Sequence, residues 1–260
     1  MAGDFLKTIA DDKLKSLQEK KVYYENLKKN MRPKAYRRYE VFKKAISRPG
    51  QVNLIAEIKK ASPSSGLIRE EFDIAQIAKI YVEHKAAAIS VLTEDKYFLG
   101  KFAYLKRVSD EFPVPTLMKD FIVHEYQIYE GVFNGASAVL LIVDMLSDNQ
   151  LQELMEIAHL LGVDCLVEAQ NEEEIERALA VDAEIIGVNN RNLRTLQMDM
   201  DNCKRLIGRI PVGKIIVAES GLKTRDDIKQ VQEAGAHAVL IGETFMRAQN
   251  IGAKIMEIMG

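Results

Sequence analysis

The stretch that decides the fold is NLIAEIKKASPSSG, residues 53–66. Its first half is an apolar, strand-forming run that contains one acid, Glu57, and is followed by Lys59; its second half is a Ser/Pro/Gly loop. Side chains two positions apart on a strand point to the same side, so Glu57 and Lys59 share one face. The stretch therefore predicts either a solvated edge strand or a buried strand whose carboxyl end carries a reaction site.

The same pattern of a short apolar run followed by a longer amphipathic segment recurs along the rest of the chain. Strands that alternate with helices form βαβ units and a parallel sheet. Eight such units in the 210 residues after residue 50 predict an α/β protein with a closed (β/α)8 barrel, the TIM barrel. The predicted strands span 52–58, 87–93, 114–120, 136–144, 163–169, 183–189, 214–220 and 236–242.

Residues 1–50 precede the first predicted strand. Two apolar stripes, within 6–17 and 39–46, predict two amphipathic helices that cover one end of the barrel. Neither a linker nor a low-complexity segment interrupts the chain. We therefore predict a single domain over 1–260, with an N-terminal helical extension at 1–50 and the barrel at 51–260.

The charge is unevenly distributed. Residues 1–50 hold 14 Lys and Arg against 6 Asp and Glu, a net charge of +8. Because the overall net charge is −2, the remaining residues carry −10. A basic segment can bind nucleic acid, but this one contains no Gly/Arg-rich tract or recognition motif. We interpret it as basic helices on an acidic body and expect no nucleic-acid partner. Because no apolar run is long enough for a bilayer and no signal peptide is visible, we expect no membrane association and a cytoplasmic location.

Cysteine and histidine usage argues against a metal site. Cys165 lies in an apolar run, and it forms no cluster with Cys203, as expected in a reducing compartment. The four histidines fall in predicted helices, in a loop or at the start of a strand, away from the carboxyl strand ends. Dinucleotide, Walker and GxSxG motifs are missing from the sequence. We expect neither a metal nor a cofactor.

Polar residues gather where the predicted strands end, which is where barrels of this type carry their chemistry. Glu57, Lys119 and Glu168 each interrupt or end an apolar run, where an unpaired charge is costly. Two lysines and two glutamates around one mouth would shift each other's pKa values and supply acid–base pairs. The strand-end residues singled out are Glu57, Lys59, Lys119, Glu168, Asn189, Arg191, Glu219 and Ser220.

Glycines after the last two predicted strands indicate a phosphate site. Gly221 follows the seventh strand and Gly242 the eighth, with Glu243 and Thr244 opening a short helix. Loops at these places and a short helix N-terminus form the common phosphate site of the fold. We therefore expect a phosphorylated small molecule as substrate.

Seven segments in order resemble the signature segments of the indole-3-glycerol phosphate synthase family of tryptophan biosynthesis. They are IAEIKKASPSSG (55–66), SVLTEDKYFLG (90–100), LMKDFIV (117–123), CLVEAQ (165–170), GVNNRNL (187–193), VAESGL (217–222) and VLIGETFMR (239–247). The resemblance implies a metal-free carbon–carbon lyase, expected as a monomer. It would close the ring of 1-(2-carboxyphenylamino)-1-deoxyribulose 5-phosphate and release carbon dioxide and water to give indole-3-glycerol phosphate.

The resemblance also implies a role for each matching residue. Lys119 would be the general acid in ring closure, and Lys59 would contact the substrate carboxylate and act in dehydration. Glu57 and Glu168 would be the two catalytic glutamates, with the division of base duty between them left open. The remaining matches are Asn189 and Arg191 at the carboxylate and intermediate, Ser62 and Ser220 as polar contacts, Phe121 near the aromatic ring, Glu219 at a hydroxyl, and Gly221, Gly242, Glu243 and Thr244 at the phosphate.

The sequence departs from the family pattern at two positions near this site. Ser65 stands where many members carry lysine, in a first loop that we expect to be mobile. Glu243 stands where a small residue is common, and its carboxylate would repel phosphate if it turned inward. We therefore expect only its backbone amide to contact the substrate.

Three other functions stay open on the sequence. The first is a Schiff-base aldolase with Lys119 or Lys59 as nucleophile. The second is a barrel enzyme like phosphoribosylanthranilate isomerase, which needs an acid–base pair but no second lysine. The third is a non-enzymatic interaction subunit that works through the basic N-terminal helices.

Overall fold

A computed structural model describes residues 5–31 and 40–260 of the chain. Eight parallel strands close into a barrel, with the last strand paired to the first, which confirms the predicted (β/α)8 fold. A short hairpin adds two strands of two residues each in the loop after the first barrel strand. In chain order the strands are β1 (Asn53–Ile58), β2 (Ala61–Ser62), β3 (Gly66–Leu67), β4 (Ala88–Leu92), β5 (Thr116–Lys119), β6 (Ala138–Ile142), β7 (Asp164–Ala169), β8 (Ile185–Asn189), β9 (Ile215–Glu219) and β10 (Ala238–Ile241).

Each of the eight barrel strands lies within its predicted range. The prediction succeeds because the strands of a parallel barrel are covered on both faces and therefore read as nearly continuous apolar runs. Every residue of β1 is buried, Glu57 included. The first of the two readings of residues 53–58, a solvated edge strand, is therefore wrong.

Helices surround the barrel and begin at predicted caps. Asp73 accepts hydrogen bonds from the amides of Ala75 and Gln76, and Asn171 accepts one from the amide of Glu174. The helices after β3 are α4 (Ile74–Glu83), α5 (Phe102–Glu111), α6 (Glu125–Phe133), α7 (Asp148–Leu160), α8 (Glu172–Ala180), α9 (Asn202–Ile207), α10 (Arg225–Ala234), α11 (Glu243–Met246) and α12 (Ile251–Met259), with a 3-10 turn at Val143–Met145.

The N-terminal extension differs from the prediction. Its described residues form three helices rather than two, namely α1 (Phe5–Glu19), α2 (Lys21–Asn30) and α3 (Val41–Ile46), and part of the second predicted stripe lies outside those residues. The helices also contact both ends of the barrel, whereas the prediction placed them at one end. Lys13 of α1 contacts Asp120, just past the carboxyl end of β5, whereas α3 docks on Asp164, the first residue of β7. The extension therefore reaches both ends of the barrel, because its helices dock separately.

The two cysteines are free and buried, in line with the core position predicted for Cys165. Burial raises the pKa of the Cys203 thiol to about 12, so the thiol stays neutral at physiological pH. Across the described ranges, no helix is both long and apolar enough to cross a membrane. The domain boundary at 50/51 stays a prediction.

Replacing Asp164 with alanine should destabilise the attachment of α3. The carboxylate of Asp164 accepts hydrogen bonds from the amides of Glu40, Phe42 and Lys43 at 2.7, 3.1 and 3.0 Å, which caps the start of α3 from another element. Losing a cap of this kind lowers the free energy of unfolding by about 2 kcal/mol. Urea denaturation measures the loss. The matched change Asp110→Ala removes an exposed ion pair with Lys106 and should cost about 0.5 kcal/mol or less. Equal losses in the two variants would contradict the capping role.

Candidate active site

One cavity of about 870 Å³ opens at the carboxyl ends of the barrel strands. It brings together all fourteen residues that the sequence singled out, although their chemical roles stay predictions. The cavity lining includes Glu57, Lys59, Ser62, Lys119, Phe121, Glu168, Asn189, Arg191, Glu219, Ser220, Gly221, Gly242, Glu243 and Thr244.

Lys119 lies at the centre of the charged groups. It is the last residue of β5, and its Nζ donates to Glu168 Oε2 at 2.9 Å and to Glu219 Oε2 at 3.2 Å. Burial opposes the charge of Lys119, but the negative charge around it, above all that of Glu168, outweighs burial and raises the lysine pKa above its ordinary value. The side chain is therefore a protonated ammonium that faces the cavity, which is the form required of a proton donor.

Asn189 holds the other oxygen of Glu168. Its Nδ2 donates to Glu168 Oε1 at 2.8 Å, while its Oδ1 accepts from the backbone amide of Arg191 at 2.9 Å. Both oxygens of the Glu168 carboxylate are thus bonded, and the side chain is 1% exposed. A carboxylate fixed in this way is oriented for proton transfer toward the cavity.

Glu219 is the least satisfied group of the site. Its Oε1 is buried and has no hydrogen-bond partner among the described residues. Burial raises the pKa of this carboxyl to about 8, against the opposing charge of Lys119. The conformation of the Glu219 side chain depends on Gly187, since a Cβ at that position would lie 2.3 Å from Glu219 Oε1. The site therefore contains a carboxyl group that is largely neutral at pH 7 and can donate a hydrogen bond.

Glutamine in place of Glu219 should keep kcat/KM within about tenfold of the parent at neutral pH, because the amide resembles the neutral carboxyl. The parent carboxyl is neutral below its pKa of about 8 and ionises as the pH rises through that value. We expect parent activity to fall along that rise and the variant to lack this step. The measurement is a pair of pH profiles of kcat/KM spanning about two units on either side of the pKa. An identical step in both proteins would assign it to another group.

Glu57 and Lys59 form a pair on one face of β1 and its continuation. The Lys59 Nζ lies 2.8 Å from Glu57 Oε1. Gly242 leaves room for this carboxylate, because a Cβ there would lie 2.3 Å from Glu57 Oε1. Lys60 points away and contacts the ring of Phe72 at 5.9 Å, as the alternation of a strand requires.

The first loop lies against residues that follow two other barrel strands, β8 and β10. Ser64 Oγ accepts from Arg191 Nη1 at 3.3 Å, and Ser65 Oγ donates to Glu243 Oε1 at 2.9 Å. Arg69 donates to two main-chain carbonyls at and beyond the end of α11, at 3.1 and 3.0 Å. The two departures from the family pattern, Ser65 and Glu243, therefore contact each other. The predicted mobility of the loop stays a prediction.

The expected phosphate end is formed after β9 and β10. Ser220 and Gly221 both have positive φ, 68° and 80°, so the chain turns sharply here in a conformation that costs a serine energy. The carboxylate of Glu243 is bonded by Arg247 Nε at 2.8 Å and by Ser65, and these bonds outweigh burial and lower its pKa. Three cationic residues that the sequence argument did not select also line the cavity: Lys223, Arg247 and Lys254.

Three phenylalanines form an aromatic wall, defined as Phe5, Phe98 and Phe121. The ring of Phe121 lies 6.4 Å from that of Phe5 and 5.8 Å from that of Phe98, between centroids. Sequence reasoning selected only Phe121. Phe5 was hidden in an amphipathic helix whose docking site could not be read from the pattern, and Phe98 lies in a matched segment, SVLTEDKYFLG, that could have drawn attention to it.

The fold and the cavity place the protein in the class of (β/α)8 barrels that have a polar site at the carboxyl ends of their strands. Solved structures agree on the fold. A 3-hexulose-6-phosphate synthase has a TM-score of 0.65 and 16% identity over 80% of this chain and 98% of its own. A tryptophan synthase α2β2 complex from Pyrococcus furiosus contains a chain with a TM-score of 0.59 and 13% identity over 79% of this chain and 95% of its own. At such identities the likeness shows the fold alone.

The chain belongs to the indole-3-glycerol phosphate synthase family, whose model matches residues 6–258. A relative of that name from Acetivibrio thermocellus is 51% identical over 213 residues, 82% of each protein. Another from Campylobacter jejuni subsp. doylei is 43% identical over 255 residues, 98% of each. The resemblance seen in the seven segments is thereby confirmed, and the family comprises carboxy-lyases of tryptophan biosynthesis.

Proposed function

We propose that this chain converts 1-(2-carboxyphenylamino)-1-deoxyribulose 5-phosphate into indole-3-glycerol phosphate, carbon dioxide and water. The observation that carries the proposal is the protonated Lys119, held by Glu168 and Glu219 in a cavity with a cationic end and an aromatic wall. The ligand class is a phosphorylated small molecule, as in the family. A monomeric, cytoplasmic enzyme is part of the same proposal.

The substrate is elongated, and the cavity offers a matching group for each part. The phosphate would bind the amides after Gly221 and Gly242, close to the added positive charge of Arg247. The benzoate ring would lie on the aromatic wall, with its carboxylate between Lys59 and Arg191. This placement leaves the ketone of the sugar chain near Lys119.

Ring closure needs a proton at the ketone oxygen. As the ring carbon that bears the carboxylate attacks the ketone carbon, negative charge grows on the oxygen, and Lys119 donates a proton to give a hydroxyl. Carbon dioxide then leaves with its bonding pair returned to the ring. Glu168, bonded to Lys119 and Asn189, keeps the ammonium aimed at this oxygen.

Dehydration needs an acid at the new hydroxyl and a base for the proton that is lost. Lys59 supplies the acid, since its ammonium enters the mouth beside Glu57. The base is Glu57 or Glu168, each of which adjoins one of the two lysines. Glu219 and Ser220 hold the sugar hydroxyls in place.

The state of Lys119 counts against a Schiff-base aldolase. A nucleophilic lysine has to be neutral, which active sites achieve by lowering its pKa. Here the surrounding negative charge, above all that of Glu168, raises the pKa of Lys119. Borohydride treatment with a ketose phosphate should therefore leave the protein mass unchanged, and a stable adduct would favour the aldolase.

The direct test is incubation of the purified protein with the anthranilate-derived substrate. Formation of the indole product is followed by its fluorescence and by release of carbon dioxide in a one-to-one ratio. Intact substrate after prolonged incubation, with a correctly folded protein, would refute the proposal.

A further inference from the structure

Lys13 and Asp120 form a buried ion pair that the proposed reaction does not use. Lys13 Nζ lies 2.8 Å from Asp120 Oδ1, and their side chains are 15% and 1% exposed. The pair joins α1 of the N-terminal extension to the residue that directly follows Lys119. A second carboxylate, that of Glu94, lies 4.0 Å from the same ammonium.

Asp120 connects two strand ends and the aromatic wall. Its Oδ2 accepts from Thr93 Oγ1, just after β4, at 2.6 Å, and its Oδ1 accepts from the backbone amide of Phe121 at 2.8 Å. The conformation between Lys119, the proposed acid, and Phe121, which belongs to the aromatic wall, therefore depends on this carboxylate. The residue is 2% exposed, so its partners are mainly protein groups.

A buried carboxylate keeps such a position only if its charge is compensated. Lys119 cannot provide the compensation, because its ammonium is bonded to Glu168 and Glu219. Lys13 approaches from outside the barrel and provides it. Burial opposes the charge of Lys13 as well, yet Asp120 outweighs it and raises the lysine pKa, so the ammonium stays charged.

We propose that Lys13 is a positioning residue for ring closure, because its ammonium holds the Asp120 carboxylate that fixes Lys119 and Phe121 on either side of it. The inference rests on the proposed function. Lys13 belongs to the N-terminal extension and touches neither substrate nor reacting atoms. Its effect on the reaction is transmitted through Asp120.

The test is a double-variant cycle of Lys13→Met and Asp120→Asn, with kcat and KM measured for all four proteins. In Lys13→Met the buried carboxylate is left without its cation and turns away from Thr93 and Phe121, so kcat/KM should fall about 100-fold. In the double variant, the negative charge of Asp120 is removed together with the ammonium of Lys13. The side-chain amide that Asp120→Asn introduces can accept from the Phe121 N–H and donate to Thr93 Oγ1, so kcat/KM should recover about tenfold or more.

That recovery separates positioning from simple attachment of α1. If the pair only docked the helix, the double variant would be at least as impaired as the worse single variant, and this outcome would overturn the proposal. Lys15→Met on the exposed side of the same helix is the matched control and should leave kcat/KM near the parent value. Equal losses in Lys13→Met and Lys15→Met would also overturn it.

Two further comparisons keep the test decisive. Circular dichroism at the assay temperature shows whether each variant is folded. If Lys13→Met is not folded, the double variant is compared with Asp120→Asn alone. The proposal expects kcat/KM to be higher in the double variant than in Asp120→Asn alone, and a lower value would contradict it. An inactive parent would refute the proposed function itself, whereas an active parent with additive losses would refute only the role of Lys13.

Discussion

Methionine in place of Lys119 should lower kcat by about 1,000-fold or more. Methionine keeps much of the length of the side chain but offers neither a proton nor a positive charge to the oxygen that forms during ring closure. The change removes a transition-state interaction, so kcat should fall much more than KM rises. Steady-state assays with the anthranilate-derived substrate measure both constants.

The variant also leaves Glu168 and Glu219 without their shared cation, so loss of structure has to be separated from loss of chemistry. Thermal unfolding of the variant gives the first check. Lys106→Met gives the second, since it removes an exposed ammonium that pairs with Asp110 on the surface of α5. A folded Lys119→Met variant that retains a tenth of the parent kcat would show that the proton comes from another group.

Glutamine in place of Glu168 should reduce kcat/KM by about 100- to 10,000-fold. The carboxylate now accepts from two donors, Lys119 Nζ on one oxygen and Asn189 Nδ2 on the other. A glutamine side chain has only one acceptor oxygen, so its amide group must face one of those donors. The ammonium or the asparagine is then displaced, and a candidate base is removed as well.

Glu173→Gln is the matched control for this change, because Glu173 is exposed on α8 and takes no part in the cavity. It should leave kcat/KM within about twofold of the parent. The comparison also bears on the division of base duty. If Glu168→Gln keeps near-parental activity, the base in dehydration is Glu57, and the proposed role of Glu168 in aiming Lys119 is wrong.

The local pattern of apolar and polar residues was sufficient to predict the barrel and most of the residues at its mouth. A strand buried on both faces must be apolar along its length, so β1 and its seven counterparts were visible as runs, and an acid within a run marked a site residue. The alternation of side chains then separated Lys59 from Lys60 without any knowledge of the tertiary structure. Seven ordered segments extended this to the family and its candidate residues.

The parts that sequence could not provide are contacts between distant segments. Nothing in the spacing of α1 shows that Lys13 meets Asp120 or that Phe5 reaches the cavity, because an amphipathic stripe defines a buried face but not its partner. The extra helix α2 was missed for a related reason, since its buried residues, Tyr24 and Leu27, are too few to make a clear stripe. The contact between Ser65 and Glu243 spans 178 positions and was equally hidden.

The pairing of the first barrel strand with the last has a consequence for how the protein is made. Phe5 and Lys254 line the same cavity, and β1 closes the barrel by pairing with β10. A chain that grows on the ribosome from its N-terminus cannot form that pairing until β10, which ends at Ile241, has emerged, and it cannot complete that cavity until Lys254 has emerged. Until then β1 has an unpaired edge on the side that β10 later covers, and this edge is a surface that chaperones would meet on the nascent chain.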